Sequence, residues 1–194
     1  MLFKGAVVFP IWVEQVNRLL FLAINPSVHP GYLMDGIARF SAVYLIFLVV
    51  PVLLLLAAQG RSAIRPVSVI VLAILYSSAL AHLVASLVQH PRPFVDGLGM
   101  LLIEHGPSPS FPSRHMAVAC AFALGLVFQY GFRKTWPALV LAGLVGWARV
   151  YVGVHYPVDM LGSVAVALVS YRAARMSVDL WNGLAVARLT RKAG

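Results

Sequence analysis

Charged side chains are scarce in this sequence. Only 11% of its 194 residues are Asp, Glu, Lys or Arg, against 61% hydrophobic, where a soluble domain carries about 25% charged residues. So little charge cannot cover a water-facing surface, which excludes an ordinary soluble domain and sets most of the chain against lipid; the mean hydropathy of +0.88 agrees. Cysteine is nearly absent as well. Cys120 stands alone inside an apolar run, so no disulfide can form within the chain and the thiol reads as a small buried side chain. No cleavable signal peptide is expected, because Glu14, Gln15, Asn17 and Arg18 interrupt the first apolar stretch and no small-residue cleavage site follows. Also missing is a basic patch interleaved with aromatics. The net charge of +9 is instead dispersed over short loops between apolar runs, which argues against nucleic acid and for the positive-inside rule, with anionic headgroups at the cytoplasmic face as reinforcement.

What remains is a series of apolar segments. A hydrocarbon core about 30 Å thick needs roughly 20 apolar residues in a helix. Spans are expected at about 38–58, 66–88, 115–130, 136–150 and 157–174 of the single 1–194 domain. The last three are short and need flanking residues, local thinning or a polar pocket at one end. The segment 11–24 differs: Ile11, Val16, Leu19, Leu20 and Ala23 recur at helical spacing, while Glu14, Asn17 and Arg18 share the other side, with Glu14 and Arg18 able to pair. That pattern predicts an amphipathic helix lying in the interface, with a sixth span as the alternative. The fold class expected is therefore an all-α integral membrane bundle of five, or six, transmembrane helices. In the five-span arrangement Arg61, Arg65, Arg133, Lys134, Arg172, Arg175, Arg188, Arg191 and Lys192 all fall on one side, the cytoplasm. The outer side receives Asp35, Asp96, Glu104 and Asp159 together with His29, His90, His105, His115 and His155.

That outer concentration points to chemistry. One outer connection runs from His90-Pro91-Arg92-Pro93-Phe94 to Pro112-Ser113-Arg114-His115; the other holds Arg149, His155 and Asp159. Phosphoryl transfer needs fixed positive charge where the oxygens gather charge, a nucleophile held in line and an acid for the departing oxygen. Arg92 and Arg149 each offer a planar fork of donors. Ser113 is placed to cap the third span, making an anion site of its hydroxyl and the free backbone N–H groups behind it, and His115 follows in that first turn. Pro157 suits the first helical position of the last span, so Tyr156 becomes its cap. Asp159, four residues after His155, can accept from one ring nitrogen and turn the other toward a substrate. Such a set performs phosphate transfer with no metal or cofactor.

Arg92-Pro93, Pro112-Ser113-x-His115 and Arg149-x5-His155-x3-Asp159 resemble the three signature motifs of the type 2 phosphatidic acid phosphatase superfamily, across roughly 81–164. The stretches His90-Pro-Arg-Pro-Phe-Val, Ser110-Phe-Pro-Ser and Arg149-Val-Tyr-Val-Gly-Val-His-Tyr-Pro-Val-Asp159 are closer to the bacitracin-resistance type of undecaprenyl-diphosphatase. The resemblance implies His155 as nucleophile, Asp159 as its orienting partner, His115 as general acid, and Arg92, Ser113 and Arg149 as phosphate ligands. It also implies a polyprenyl diphosphate as substrate and a site on the outer face of a bacterial cytoplasmic membrane. The wider superfamily's Lys, seven residues before the first Arg, is Ala85 here, a loss shared with the diphosphatase branch. The Ser that often precedes the third motif's Arg is Ala148. Arg114 stands where Gly or Asp is usual; it either holds the second phosphate of a diphosphate or reaches headgroups. His82 reads as a satisfied core histidine, His90 as a helix cap or a site residue, and Glu104 and His105 as a solvated loop.

Overall fold

Residues 9–26, 28 and 31–193 are described in the computed structural model, with side chains through Ala185; His29 and the side chains of Arg188, Arg191 and Lys192 lie outside that description. Every regular element among these residues is helical. The helices are α1 (Ile11–Ile24), α2 (Tyr32–Val43), α3 (Val49–Ala57), α4 (Ile64–Val88), α5 (Arg114–Tyr130), α6 (Phe132–Tyr151) and α7 (Pro157–Ala193).

Small residues put α5 at the centre. Ala117, Ala119, Cys120, Ala121, Ala123 and Gly125 are buried along it, and without bulky side chains its neighbours α4, α6 and α7 approach closely. A Cβ added at Gly125 would sit 3.0 Å from Ile70 of α4, and one at Gly146 of α6 would press on Met116. Where the backbones come near, hydroxyls bridge them. Ser77 of α4 donates to the Ala117 carbonyl at 3.0 Å, and Ser163 of α7 donates to the Ser113 carbonyl at 2.9 Å. Gln129, in the last turn of α5, donates to the Tyr171 hydroxyl in the middle of α7 at 3.0 Å.

One helix, Arg61–Val88 with its opening turn, is long and apolar enough by itself to cross a membrane. The single helix expected over 38–58 is instead two, α2 and a Leu45–Ala57 segment, bent by 51° where they join. Pro51 accounts for the break: it has no N–H for the Phe47 carbonyl, so a continuous helix through 44–48 is disfavoured and a 3₁₀ turn at Leu45–Leu48 takes its place. α5 has only 17 residues, whereas α7 has 37. At 1.5 Å per residue α7 extends far past the segment expected at 157–174. An ion pair from Arg65 to Asp179, 2.7 Å, ties the beginning of α4 to the stretch of α7 just past 174.

α1 packs against α6 and α7. Trp12 and Leu19 are 68% and 69% exposed, while Asn17 and Phe21 are buried. Glu14 and Arg18 do not pair with each other; Glu14 reaches His90 at 2.8 Å and Arg18 reaches Asp96 at 3.4 Å.

Two loops close the opposite end, 89–113 between α4 and α5 and 152–156 between α6 and α7. They meet where the Leu102 N–H donates to the Val152 carbonyl at 3.0 Å. Asn25, just past α1, clamps the junction by donating to the Met100 and Tyr151 carbonyls and accepting from the Met100 N–H. Gly153 makes that approach possible: its φ of +84° favours glycine, and a Cβ there would collide with the Met100 carbonyl. Gly153→Ala is expected to cost about 1–3 kcal/mol in backbone strain, read as a lower thermal midpoint in detergent micelles. An unchanged midpoint would show that the loop accommodates the side chain.

Candidate active site

Chain direction brings four helix ends to these loops: α4 and α6 finish there, α5 and α7 begin there. Between them lies a cavity of about 260 Å³, whose wall includes Arg92, Arg114, Arg149, His105, His115 and His155 and no carboxylate side chain. Two of the helices, α5 and α7, point their N-termini, the positive ends of their dipoles, at this end.

At its centre is the His155–Asp159 pair. Asp159 falls at the third position of α7, directly below His155, and its Oδ2 accepts from three donors. These are the His155 ring Nδ1–H at 3.0 Å, the Tyr156 backbone N–H at 2.9 Å, and the Ser110 hydroxyl in a short bond. The bond to the Tyr156 N–H is the reaching-back half of a capping box, so one carboxylate both starts α7 and aims the imidazole. Asp159 is fully buried and His155 is 2% exposed.

The other side of the ring is set by Arg92, whose Nη1 lies 3.2 Å from His155 Nε2. A guanidinium only donates, so Nε2 must carry the lone pair and Nδ1 the proton. Burial, followed by the positive charge of Arg149 and Arg92, pushes His155 well below its ordinary value of 6.5, consistent with this neutral tautomer. The remaining Arg92 donors reach the Ser108 carbonyl and hydroxyl, the Pro109 carbonyl and the Val154 carbonyl, over 2.6–3.1 Å. Arg92 thereby joins both loops. Burial lowers its pKa to about 10, opposed by Asp159 and assisted by Arg114, so it stays charged at neutral pH.

Arg149 is buried in the last turn of α6, at a helix end that favours a cation. Its Nη1 donates to the Ala42 carbonyl at 3.3 Å, and its Nε has no protein partner. The bend between α2 and α3 contributes here, because Ala42 lies in the last turn of α2, where carbonyls are left without helical partners. Ser113 occupies the N-cap position of α5, but its hydroxyl makes no capping bond; it is buried without a protein partner between the cavity-lining Pro112 and Arg114. The cap expected of Ser113 is thus absent, and its oxygen stays available. Arg114 is exposed and His115 half-buried, both on the cavity wall. The first turn of α5 therefore delivers two site residues in succession.

Several residues take places the sequence did not indicate. His82 is not a core histidine: it is exposed on the wall of the cavity, beside Ala85. His105 also lines it, with Nδ1 2.9 Å from the Gly106 carbonyl, whereas Glu104 stays exposed in its loop. Burial, opposed by that carbonyl and assisted by the three arginines, lowers the pKa of His105. His90 neither caps α4 nor lines the cavity; it pairs with Glu14. Ser110 is the main omission. Its signal was present only as the residue that opens the Ser-Phe-Pro-Ser stretch, and its role appears once the cis Phe111–Pro112 bond and the loop path are seen. Among the described residues no group of three or more His, Cys, Asp or Glu side chains forms a metal-binding cluster.

Comparison with known proteins places these residues in context. The sequence profile of the PAP2 superfamily matches residues 66–181. YbjG of Escherichia coli (strain K12), provisionally named an undecaprenyl-diphosphatase, is 31% identical over 173 residues, covering 89% of this chain and 86% of its own. The undecaprenyl-diphosphatase BcrC of Bacillus subtilis (strain 168) is 34% identical over 162 residues, covering 79% and 80%. The crystal structure of Aquifex aeolicus LpxE superposes with a TM-score of 0.66 at 27% identity, covering 82% of this chain and 94% of that one.

The bonding at Asp159 and His155 makes two predictions. Asp159→Asn would present an amide in place of the acceptor and favour the wrong tautomer, so kcat on a phosphate ester should drop by about a hundredfold or more; near-normal turnover would remove Asp159 from the machinery. For a reaction that uses the neutral ring of His155, whose pKa lies well below 6.5, kcat/KM should hold level as the pH falls through 6.5 and decline only below it. A half-loss at or above 6.5, after correction for the substrate's own titration, would contradict this assignment.

Proposed function

This chain belongs to the PAP2 superfamily, and we propose that within it the chain hydrolyses undecaprenyl diphosphate to undecaprenyl phosphate and inorganic phosphate. The observation that carries the reading is the neutral His155, its Nδ1–H on Asp159 and its Nε2 lone pair at a cavity with three arginines and no carboxylate on its wall. A diphosphate carries more negative charge than a monoester, and Arg114 supplies a third guanidinium beside Arg92 and Arg149. The names of YbjG and BcrC agree with this substrate.

In the reaction, Nε2 of His155 attacks the β-phosphorus. A P–N bond forms, the P–O bond to the bridging oxygen breaks, and undecaprenyl phosphate leaves. Water then attacks the phosphohistidine, phosphate departs and the free imidazole returns. Asp159 stabilises the positive charge that the ring gathers while phosphorylated. Arg92, Arg149 and the Ser113 hydroxyl hold the phosphate oxygens, with Arg114 on the second phosphate and His115 moving the proton at the leaving oxygen and at water.

The active site would face the outer side of a bacterial cytoplasmic membrane, with α4 to α7 and the bent α2–α3 pair making five spans. Arg61, Arg65, Arg133 and Lys134 fall at the helix ends away from the cavity, the distribution expected of a cytoplasmic face. The three polar helix ends around the cavity explain how α5, with 17 residues, can serve as a span: its outer end is sunk in a polar pocket rather than in hydrocarbon.

Purified protein in detergent with EDTA should release phosphate, and in competition undecaprenyl diphosphate should outcompete phosphatidylglycerophosphate, phosphatidate and lipid A phosphate. A different winner would change the lipid and keep the chemistry; no release on any of them would make the chain a binder or transporter, and a strict divalent-metal requirement would remove the metal-free route. His155→Ala should abolish turnover. His115→Ala should impair a monoester more than the diphosphate, whose leaving group is already a phosphate. Arg114→Asp should lower the ratio of diphosphate to monophosphate turnover, and an unchanged ratio would release Arg114 from the second phosphate.

A further inference from the structure

The polar side chains of α1 converge on the end of the molecule that holds His155. Asn17 is 3% exposed, and its Oδ1 accepts the backbone N–H of Val158 at 3.0 Å. Val158 is the second residue of α7, whose first N–H groups have no partner within their own helix. Tyr156, at the cap position, has no side-chain oxygen in reach of those groups, and its hydroxyl donates to Asp96 instead at 2.8 Å. The side-chain cap of α7 thus comes from a residue 141 positions earlier in the chain.

The neighbours of Asn17 hold α1 at the same shoulder. Phe21, fully buried, packs its ring on that of Tyr156 with centroids 5.4 Å apart. Arg18 and the Tyr156 hydroxyl meet on one oxygen of Asp96. Glu14 grips His90, whose carbonyl accepts the Ser110 N–H at 2.7 Å, and Ser110 bonds Asp159. From these contacts we infer that α1 is a brace for the reacting histidine and that Asn17 is a positioning residue, setting the start of α7 so that Asp159 and His155 keep their register. The α1 half of this device, residues 11–24, lies outside residues 66–181, the part matched by the superfamily profile, whereas its partners lie within that part. It rests on the reading of His155 as nucleophile, and it acts through Val158 and Asp159 rather than on substrate.

Two near-isosteric substitutions isolate the acceptor. Asn17→Asp keeps an oxygen for the Val158 N–H, replaces Nδ2, which has no partner among the described residues, and adds a carboxylate at a helix N-terminus, where negative charge is favoured. Asn17→Leu keeps the bulk and removes the acceptor. In detergent-solubilised full-length protein, Asn17→Leu should lower kcat at least tenfold, since a displacement of about 1 Å in a reacting group can cost about a hundredfold. KM should move less than threefold, and Asn17→Asp should restore kcat to within threefold of the parent. Hydrogen exchange read by mass spectrometry should show peptides covering 156–160 exchanging at least tenfold faster in Asn17→Leu and unchanged in Asn17→Asp. An unaltered kcat in Asn17→Leu, equal losses in both variants, or a loss matching only the folded fraction would overturn the inference. If the parent protein hydrolysed no phosphate ester, the proposed function would fail separately. The exchange measurement would still decide whether Asn17 sets the start of α7, and unchanged exchange in Asn17→Leu would overturn that.

Discussion

The cavity end of this molecule is arranged around one oxygen atom, Asp159 Oδ2. It is fully buried, and three donors from two loops converge on it: the imidazole of His155 and the neighbouring backbone N–H of Tyr156, and the Ser110 hydroxyl. A buried carboxylate is costly unless such bonds compensate it. Here they also tie it to the loop before α5, the loop before α7 and the first turn of α7. The same oxygen that fixes the ring also starts the helix that carries it, so errors in helix start and in imidazole aim are coupled.

The arginines solve a related problem. Three guanidinium groups around a small cavity repel one another and need opposite charge or dipoles. The negative partner is backbone rather than side chain: carbonyls of Ser108, Pro109 and Val154 for Arg92, and that of Ala42 for Arg149. Because no carboxylate lines the wall, the cavity keeps a net attraction for an anion. Breaks in regular structure are useful here, since loops and helix ends are the places where carbonyls are free to do this.

Much of this was legible in the residue pattern, and the physical reasons are particular. His155 and Asp159 could be paired from spacing alone, because four residues at a helix start determine their relative position. Ser113 and Arg114 could be placed at the start of α5, as Pro112 ends the loop. The segments that became α4, α5 and α6 were visible as apolar runs bounded by Gly, Pro or basic residues. The bend in the 38–58 stretch was less legible, since Pro51 is tolerated in the first turn of a helix and the hydropathy is continuous across it. Ser110, His105 and His82 were misjudged or passed over because their importance comes from the path of the 89–113 loop, which local propensity does not determine. The Glu14–Arg18 spacing suggested a pair along the helix, but each found a tertiary partner, a competition that i, i+4 spacing cannot register.

α1, Ile11–Ile24, has a polarity whose meaning depends on the solvent. In water the apolar stripe of a helix marks the hidden face; on α1 Asn17 is hidden beside Phe21, while Trp12 and Leu19 look outward. The stretch matched by the superfamily profile, residues 66–181, is therefore smaller than the hydrogen-bonded unit around His155. An excised segment with those limits would contain all the residues named in its motifs and yet lack the group that completes the first turn of α7. Homology marks out an ancestry, and autonomy of folding has to be established by where the hydrogen bonds end.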